Sequence, residues 1–223
     1  MKAIAENIWL LRFPLRLLGA DVGRAVTVIR LRTGELFIHS SAPFTSADVS
    51  AIRALGTPRW LVEAALYHDT YAAAGHAAFP DLLYLAPPGF AEIAHVPSQS
   101  LENPPAAWIG ELEVLRLEGM PKAEEHVFFH RPSRTLIVGD LLFNIAPDAS
   151  GWTRLLLRVG AGLKRFPGMS RVFRRMIKDR DAFSRSTRAM MKWDFKRIIV
   201  AHGEMIESGG KKNMADALHA AGF

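Results

Sequence analysis

Apolar and polar positions change rhythm several times along this chain, and each change marks an element. The stretch "AVTVIRLRTGELFIHSS" holds two β-rich runs separated by "RTGE", a glycine-containing turn. In "FTSADVSAIRALGTP", Val49, Ile52 and Leu55 have helical spacing, Thr45 or Ser46 supplies an N-cap, and Gly56 with Pro58 stops the helix. "RWLVEAALY" follows as a short buried strand. "DTYAAAGHAAF" is an alanine-rich helix ending at Pro80, and "DLLYLAPP" is another strand. Helix, strand, helix, strand over 46–86 predicts parallel pairing with crossover helices.

The middle has a different rhythm. "ELEVLRLEGM" and "HVFFHRPSRTLIVGDLLF" alternate with period two, and "RPSR" between two strands predicts an antiparallel hairpin. Helices are expected over 151–163, 169–178 and 180–193, with Pro167 and Gly168 separating the first two. "FKRIIVAHGEMI" returns to a strand ending at Ala201, His202 and Gly203, and "SGGKKNMADALHAAG" is a final helix stopping at Gly222. One compact α/β domain over 1–223, a four-layer αβ/βα sandwich, uses all of these elements. Residues 26–143 are expected to form one half with its hairpin, and 195–221 to complete the other.

Composition narrows the class. Of 223 residues 49% are hydrophobic, which supports a sizeable core and argues against disorder. No apolar run approaches the roughly 18 residues a membrane span needs. Acid and arginine interrupt the N-terminal "MKAIAENIWLLRFPLRLLGADVGR", so it does not read as a signal peptide, and a cytoplasmic setting is expected. With no cysteine there are no disulfides and no thiolate metal sites. The net charge of +6 is concentrated in 151–180, which holds nine Arg or Lys and a single acid, Asp179.

Candidate chemistry lies at strand ends, where a rigid scaffold meets solvent. "LYHDTY" offers His68 and Asp69, "IVGDLLF" offers Asp140, and "IVAHGE" offers His202. Asp140 poses the sharpest question, because a carboxylate in an apolar run needs a cation: an arginine, a histidine or a metal ion. Histidine with carboxylate is metal-ligand chemistry and equally acid–base chemistry. Singly, each is more often a structural hydrogen bonder or turn former.

These segments, with "TVIRL" and "ELFIHS", resemble the metallo-β-lactamase superfamily over nearly the whole chain. "RTLIVGDLLF" and "RIIVAHGE" are similar to its Gly-Asp and Gly-His-Gly signatures. More narrowly, "LYHDTYAAAGHAAFPDLLYLAPPG" and "EHVFFHRPSRTLIVGDLLFN" resemble a bacterial branch defined as a domain of unknown function. The resemblance implies the αβ/βα sandwich with a metal site at its edge. It also exposes departures. With Asp69 on the aspartate of the HxHxDH signature, Ala65, Tyr67 and Thr70 replace its histidines, and Met120 replaces a fourth. The implied ligand set is Asp69, Asp140 and His202, holding one divalent ion (zinc, manganese or iron); a two-metal centre is not expected. Asp69 and His68 are the catalytic candidates, and the register admits His68 in the site in place of Asp69.

His126 and His130 share a strand face in the hairpin. His126 could approach the site, whereas His130, beside "RPSR", reads as a surface turn residue. His39, His76, His95 and His219 are assigned no role. Arg154, Arg158, Arg165, Arg171, Arg174, Arg175 and Lys178 interleave with Trp152, Leu155, Leu156, Phe166 and Phe173. The bland reading is two amphipathic helices with solvated basic faces; the sharper one is a surface for an anionic small-molecule substrate or, less favoured, for peripheral membrane contact. Nothing resembles a nucleic-acid-binding motif. Two functions stay open: a mononuclear metal-dependent hydrolase of an anionic substrate, and a catalytically inactive binding protein in which Asp140 and His202 form a structural pair.

Overall fold

A computed structural model describes residues 1–146, 149–163 and 165–223. Lys164, which contributes to the basic stretch, lies outside the described residues. The chain opens with β1 (Lys2–Ala5), β2 (Ile8–Phe13), a short hairpin of β3 (Arg16–Leu17) and β4 (Ala20–Asp21), then β5 (Arg24–Arg30) and β6 (Glu35–His39). Next come α1 (Ser46–Arg53), β7 (Thr57–Val62), a 3₁₀ turn (Asp69–Tyr71), α2 (Ala72–Ala78), β8 (Leu83–Ala86), α3 (Phe90–Ala94) and β9 (Gln99–Ser100). The second half contains β10 (Leu112–Arg116), β11 (His126–His130), β12 (Thr135–Val138), α4 (Gly151–Val159), α5 (Arg171–Met176), α6 (Arg180–Met190), β13 (Arg197–Val200) and α7 (Gly210–Ala221).

Two sheets face each other. The first runs β1-β2-β5-β6-β7-β8-β9 and the second β10-β11-β12-β13. The β5–β6 pair is antiparallel, and β6, β7 and β8 are mutually parallel, as the helix–strand alternation predicts. Apolar side chains alternate on both faces of each sheet, so three layers of core result. Between the sheets, Ile29, Phe37, Trp60 and Val62 of the first meet Phe128, Ile137 and Ile199 of the second. Outside the first sheet, Val28, Ile38 and Leu61 pack with Ile52 of α1 and Ala72 of α2. Outside the second, Phe129, Leu136 and Ile198 pack with Phe173, Phe183 and Met214 of the helices. This is the four-layer αβ/βα sandwich.

Thr45 caps α1 in a reciprocal box: the Asp48 N–H donates to its hydroxyl at 3.2 Å, and its own N–H donates to Asp48 at 2.9 Å. The expected division of the chain needs correction. The 126–143 hairpin belongs to the second sheet, because β11 pairs antiparallel with β10 and β12 pairs parallel with β13. The first half therefore ends near residue 100. Its edge is extended by β1 and β2, which the pattern reading did not assign. The three middle helices are each shorter than expected.

Candidate metal centre

Three polypeptide segments leave strands and converge at one edge of the sandwich. Asp140 follows β12 and Gly139, His202 follows β13, and His68 lies in the turn after β7. One ligand atom from each of His68, Asp140 and His202 lies within 4.8 Å of the others. Nε2 of His202 is 3.3 Å from Asp140 Oδ1, and Nε2 of His68 is 3.6 Å from it. The two imidazoles meet edge to face, with ring centroids 5.9 Å apart.

Each side chain is placed by backbone. His202 Nδ1 donates to the carbonyl of Gly23 at 2.7 Å, and Phe143 stacks on its ring. A neighbouring bond also ties the sheets together, since the Ala25 N–H donates to the carbonyl of Ala201. Gly203 has φ +94°, and a Cβ there would meet the Asn144 carbonyl oxygen at 2.3 Å, so only glycine lets the chain turn after His202. The loop carrying His68 is anchored on the second sheet, where Leu66 N–H donates to Ala123 and His126 N–H donates to Ala64. A Cβ on Gly139 would meet His68 Cε1 at 3.1 Å, so the glycine before Asp140 makes room for that imidazole.

Two buried acids complete the surroundings, and the sequence reading missed both. Glu125 accepts the N–H groups of Gly139, Asp140 and Leu141 at 3.0–3.1 Å and fixes the turn that presents Asp140. Burial, followed by the charge of Asp140, pushes its carboxyl up to about 8, against the pull of those three amides. Glu63 pairs with Arg24 at 2.9 Å in the interior, and Arg24 also donates to the carbonyl of His68. Ser40 Oγ and the Ser41 N–H satisfy the rest of Glu63. Glu63 was legible in "RWLVEAALY", where an acid interrupts an apolar strand just as Asp140 does. Glu125, one of two glutamates before β11, gives no such signal.

Burial alone would raise the Asp140 carboxyl, but a donated proton or positive charge at His202 and His68 outweighs it and holds Asp140 well below the ordinary carboxylate range. Burial, and then the Arg24 charge, lower His68 from the ordinary histidine value, against the pull of Asp140. Among the described residues, neither His68 nitrogen has a hydrogen-bond partner, nor does Asp140 Oδ1. A buried imidazole and a buried carboxylate oxygen, both lacking a hydrogen-bond partner among the described residues, suit a cation between them.

The remaining candidates lie elsewhere. Asp69 begins the 3₁₀ turn half-buried and does not join the cluster, so His68 stands where the implied set has Asp69. The backbone turn at 66–68 sends these adjacent residues different ways. Ala65 is buried, Tyr67 and Thr70 are exposed on the cavity lining, and Met120 is part of the core behind the second sheet. His126 and His130 are buried in β11 and do not join the cluster. His126 Nδ1 donates to the Glu124 carbonyl, and His130 Nδ1 bonds Ser133 Oγ at 2.8 Å. His130 is therefore interior, not the surface turn residue its neighbours suggest.

No protein-family model matches the chain, and no curated protein does. Solved structures do. TMB-1 matches with a TM-score of 0.67 at 17% identity, over 100% of this chain and 97% of that one. The metallo-β-lactamase from Erythrobacter litoralis, solved with β-mercaptoethanol in its active site, matches with 0.67 at 16% identity, over 98% and 95%. FIM-1 from Pseudomonas aeruginosa, in its mono-zinc form, matches with 0.63 at 12% identity, over 99% and 95%. The chain has the metallo-β-lactamase fold from end to end. No helix among the described residues is long and apolar enough to cross a membrane.

Proposed function

We propose that the protein is a mononuclear metal-dependent hydrolase of an anionic substrate, with His68, Asp140 and His202 as ligands. The observation that supports this most is the tautomer of His202. Its Nδ1 carries the proton donated to Gly23, so in the neutral ring Nε2 turns a lone pair toward the Asp140 carboxylate at 3.3 Å. Two lone pairs facing each other need a cation. Two histidines and one carboxylate suit iron or manganese as well as zinc. Such an ion would supply a Lewis acid and a water of lowered pKa.

The chain's own groups do the positioning. Gly23 fixes the His202 tautomer, and Glu125 with three amides fixes Asp140. The cavity over the three side chains is walled mostly by apolar groups, which limits bulk water, while Lys122, Arg175 and Lys178 on its lining favour a negative substrate.

The same 3.3 Å contact supports a second reading, an inactive binding protein. A proton on His202 Nε2 would make an imidazolium–carboxylate pair and satisfy Asp140 without a metal. Metal analysis of protein purified without chelator, with hydrolysis of an ester panel by wild type and Asp140→Asn, separates the two. The hydrolase reading expects one tightly held ion and hydrolysis that Asp140→Asn abolishes. No bound ion, no uptake on titration and no hydrolysis would leave the structural pair.

A further inference from the structure

The cavity above His68, Asp140 and His202 has a volume of about 690 Å³. Its floor is polar and its walls are apolar. Leu15 and Val22 come from beside the β3–β4 hairpin, Phe143 from beyond β12, and Leu157, Phe173 and Met176 from α4 and α5. The apolar lining does not stop at the mouth. Leu17, Tyr67 and Val172 also line the cavity and are 53%, 52% and 51% exposed. Trp152 and Leu18 sit beside them, joined by a hydrogen bond from the indole N–H to the Leu18 carbonyl and likewise exposed. Large apolar side chains gathered in the open around one cavity mark a binding surface.

The charges on that lining are one-sided. Lys122, Arg175 and Lys178 are exposed there, and none is ion-paired to a carboxylate among the described residues. Asp140, on the floor, is the only acid lining the cavity among the described residues. A neutral apolar ligand would leave three cations unused, and a small hydrophilic anion would leave the walls facing water.

We infer that the cavity takes an anionic amphiphile, with an acyl or alkyl chain against the walls and its negative group at Lys122, Arg175 and Lys178. This rests on the hydrolase reading for its place over the ligand cluster, and it names the substrate class that reading leaves open. The chain could arrive as a soluble acyl anion or from a lipid surface; the ligand chemistry is the same.

The test is calorimetric titration of EDTA-treated protein with straight-chain carboxylates of increasing length, and with the alcohols of matching length. Affinity should rise about 3- to 4-fold for each added CH₂ until the cavity is filled. Carboxylates should bind better than the alcohols, and Arg175→Glu with Lys178→Glu should remove that preference, weakening the carboxylates by about tenfold or more while sparing the alcohols. A parallel arm measures co-sedimentation with phosphatidylglycerol and phosphatidylcholine vesicles. Chain-length-dependent binding in solution supports a soluble source. Binding only to phosphatidylglycerol vesicles, lost in the charge-reversed variant, supports a lipid source. Affinity independent of chain length with no vesicle binding overturns the inference, as does equal affinity for alcohol and carboxylate. Metal titration of the same protein is scored separately. Metal uptake without chain-length dependence defeats this inference alone, and chain-length dependence without metal uptake defeats the hydrolase reading alone.

Discussion

His202 reaches in two directions at once: Nδ1 donates to the Gly23 carbonyl at 2.7 Å, and Nε2 faces Asp140 Oδ1 at 3.3 Å. The first contact comes from the residue preceding β5 of one sheet and the second from just beyond the end of β12 of the other, so the imidazole is held at the seam of the sandwich. A carboxylate facing a nitrogen lone pair is stable only with a proton or a metal between them. Titration with Mn²⁺, Fe²⁺ or Zn²⁺ under anaerobic conditions should give one equivalent bound. Asp140→Asn should weaken binding by more than the roughly 10- to 100-fold typical of an outer-shell partner. Unchanged affinity in that variant would remove Asp140 from the ligand set.

His68 and Asp69 are adjacent, yet only His68 meets Asp140 and His202. His68→Ala should therefore lower metal affinity about as much as Asp140→Asn, whereas Asp69→Ala should lie within about threefold of wild type, since Asp69 does not join the cluster and a change outside the ligand set that breaks no buried network usually moves energies by about 0.5 kcal/mol or less. The reverse ranking, read by the same titration, would restore Asp69 as the ligand.

Glu125 receives three backbone N–H groups from the turn that presents Asp140. Glu125→Ala strands those buried donors and should cost on the order of 3–5 kcal/mol, measured as a shift in the urea midpoint. Glu125→Gln keeps the shape and one good acceptor. It should fold, lose less stability, and bind metal about 10- to 100-fold more weakly, because the turn is no longer held as firmly. Wild-type metal affinity in Glu125→Gln would show that the turn holds itself.

Burial lowers His126 to about 4, against an ordinary value near 6.5. Between those values the unfolded chain takes up a proton that the folded protein refuses, so more protons are bound in the unfolded state. The stability contributed by neutral His126 is present above about pH 6.5 and is lost as pH falls toward 4, at about 1.4 kcal/mol per pH unit. His126→Gln cannot titrate. The gap in unfolding free energy between wild type and this variant should shift in the variant's favour on moving from neutral to acid pH. A gap independent of pH, from paired urea titrations, would mean that His126 titrates alike in both states.

Much of this molecule is local. The period-two runs, the helical spacing of Val49, Ile52 and Leu55, and the turn at "RPSR" specified strands, helices and hairpins, because each depends on residues a few positions apart. So did the question posed by Asp140 in an apolar strand and the histidine at the end of β13. Tertiary structure decided what depends on distant pairing. The hairpin's sheet was set by β12 lying beside β13, some sixty residues on, and by Phe128 and Ile137 facing the first sheet. Likewise, nothing in "LYHDTY" says which of two neighbouring polar residues turns inward. That was set by the contacts of 64–66 with 123–126 and by the space Gly139 leaves for an imidazole. Glu125 and the Arg24–Glu63 pair have the same origin, since a buried charge is recognised by its partners, and those come from 14 to 39 residues away.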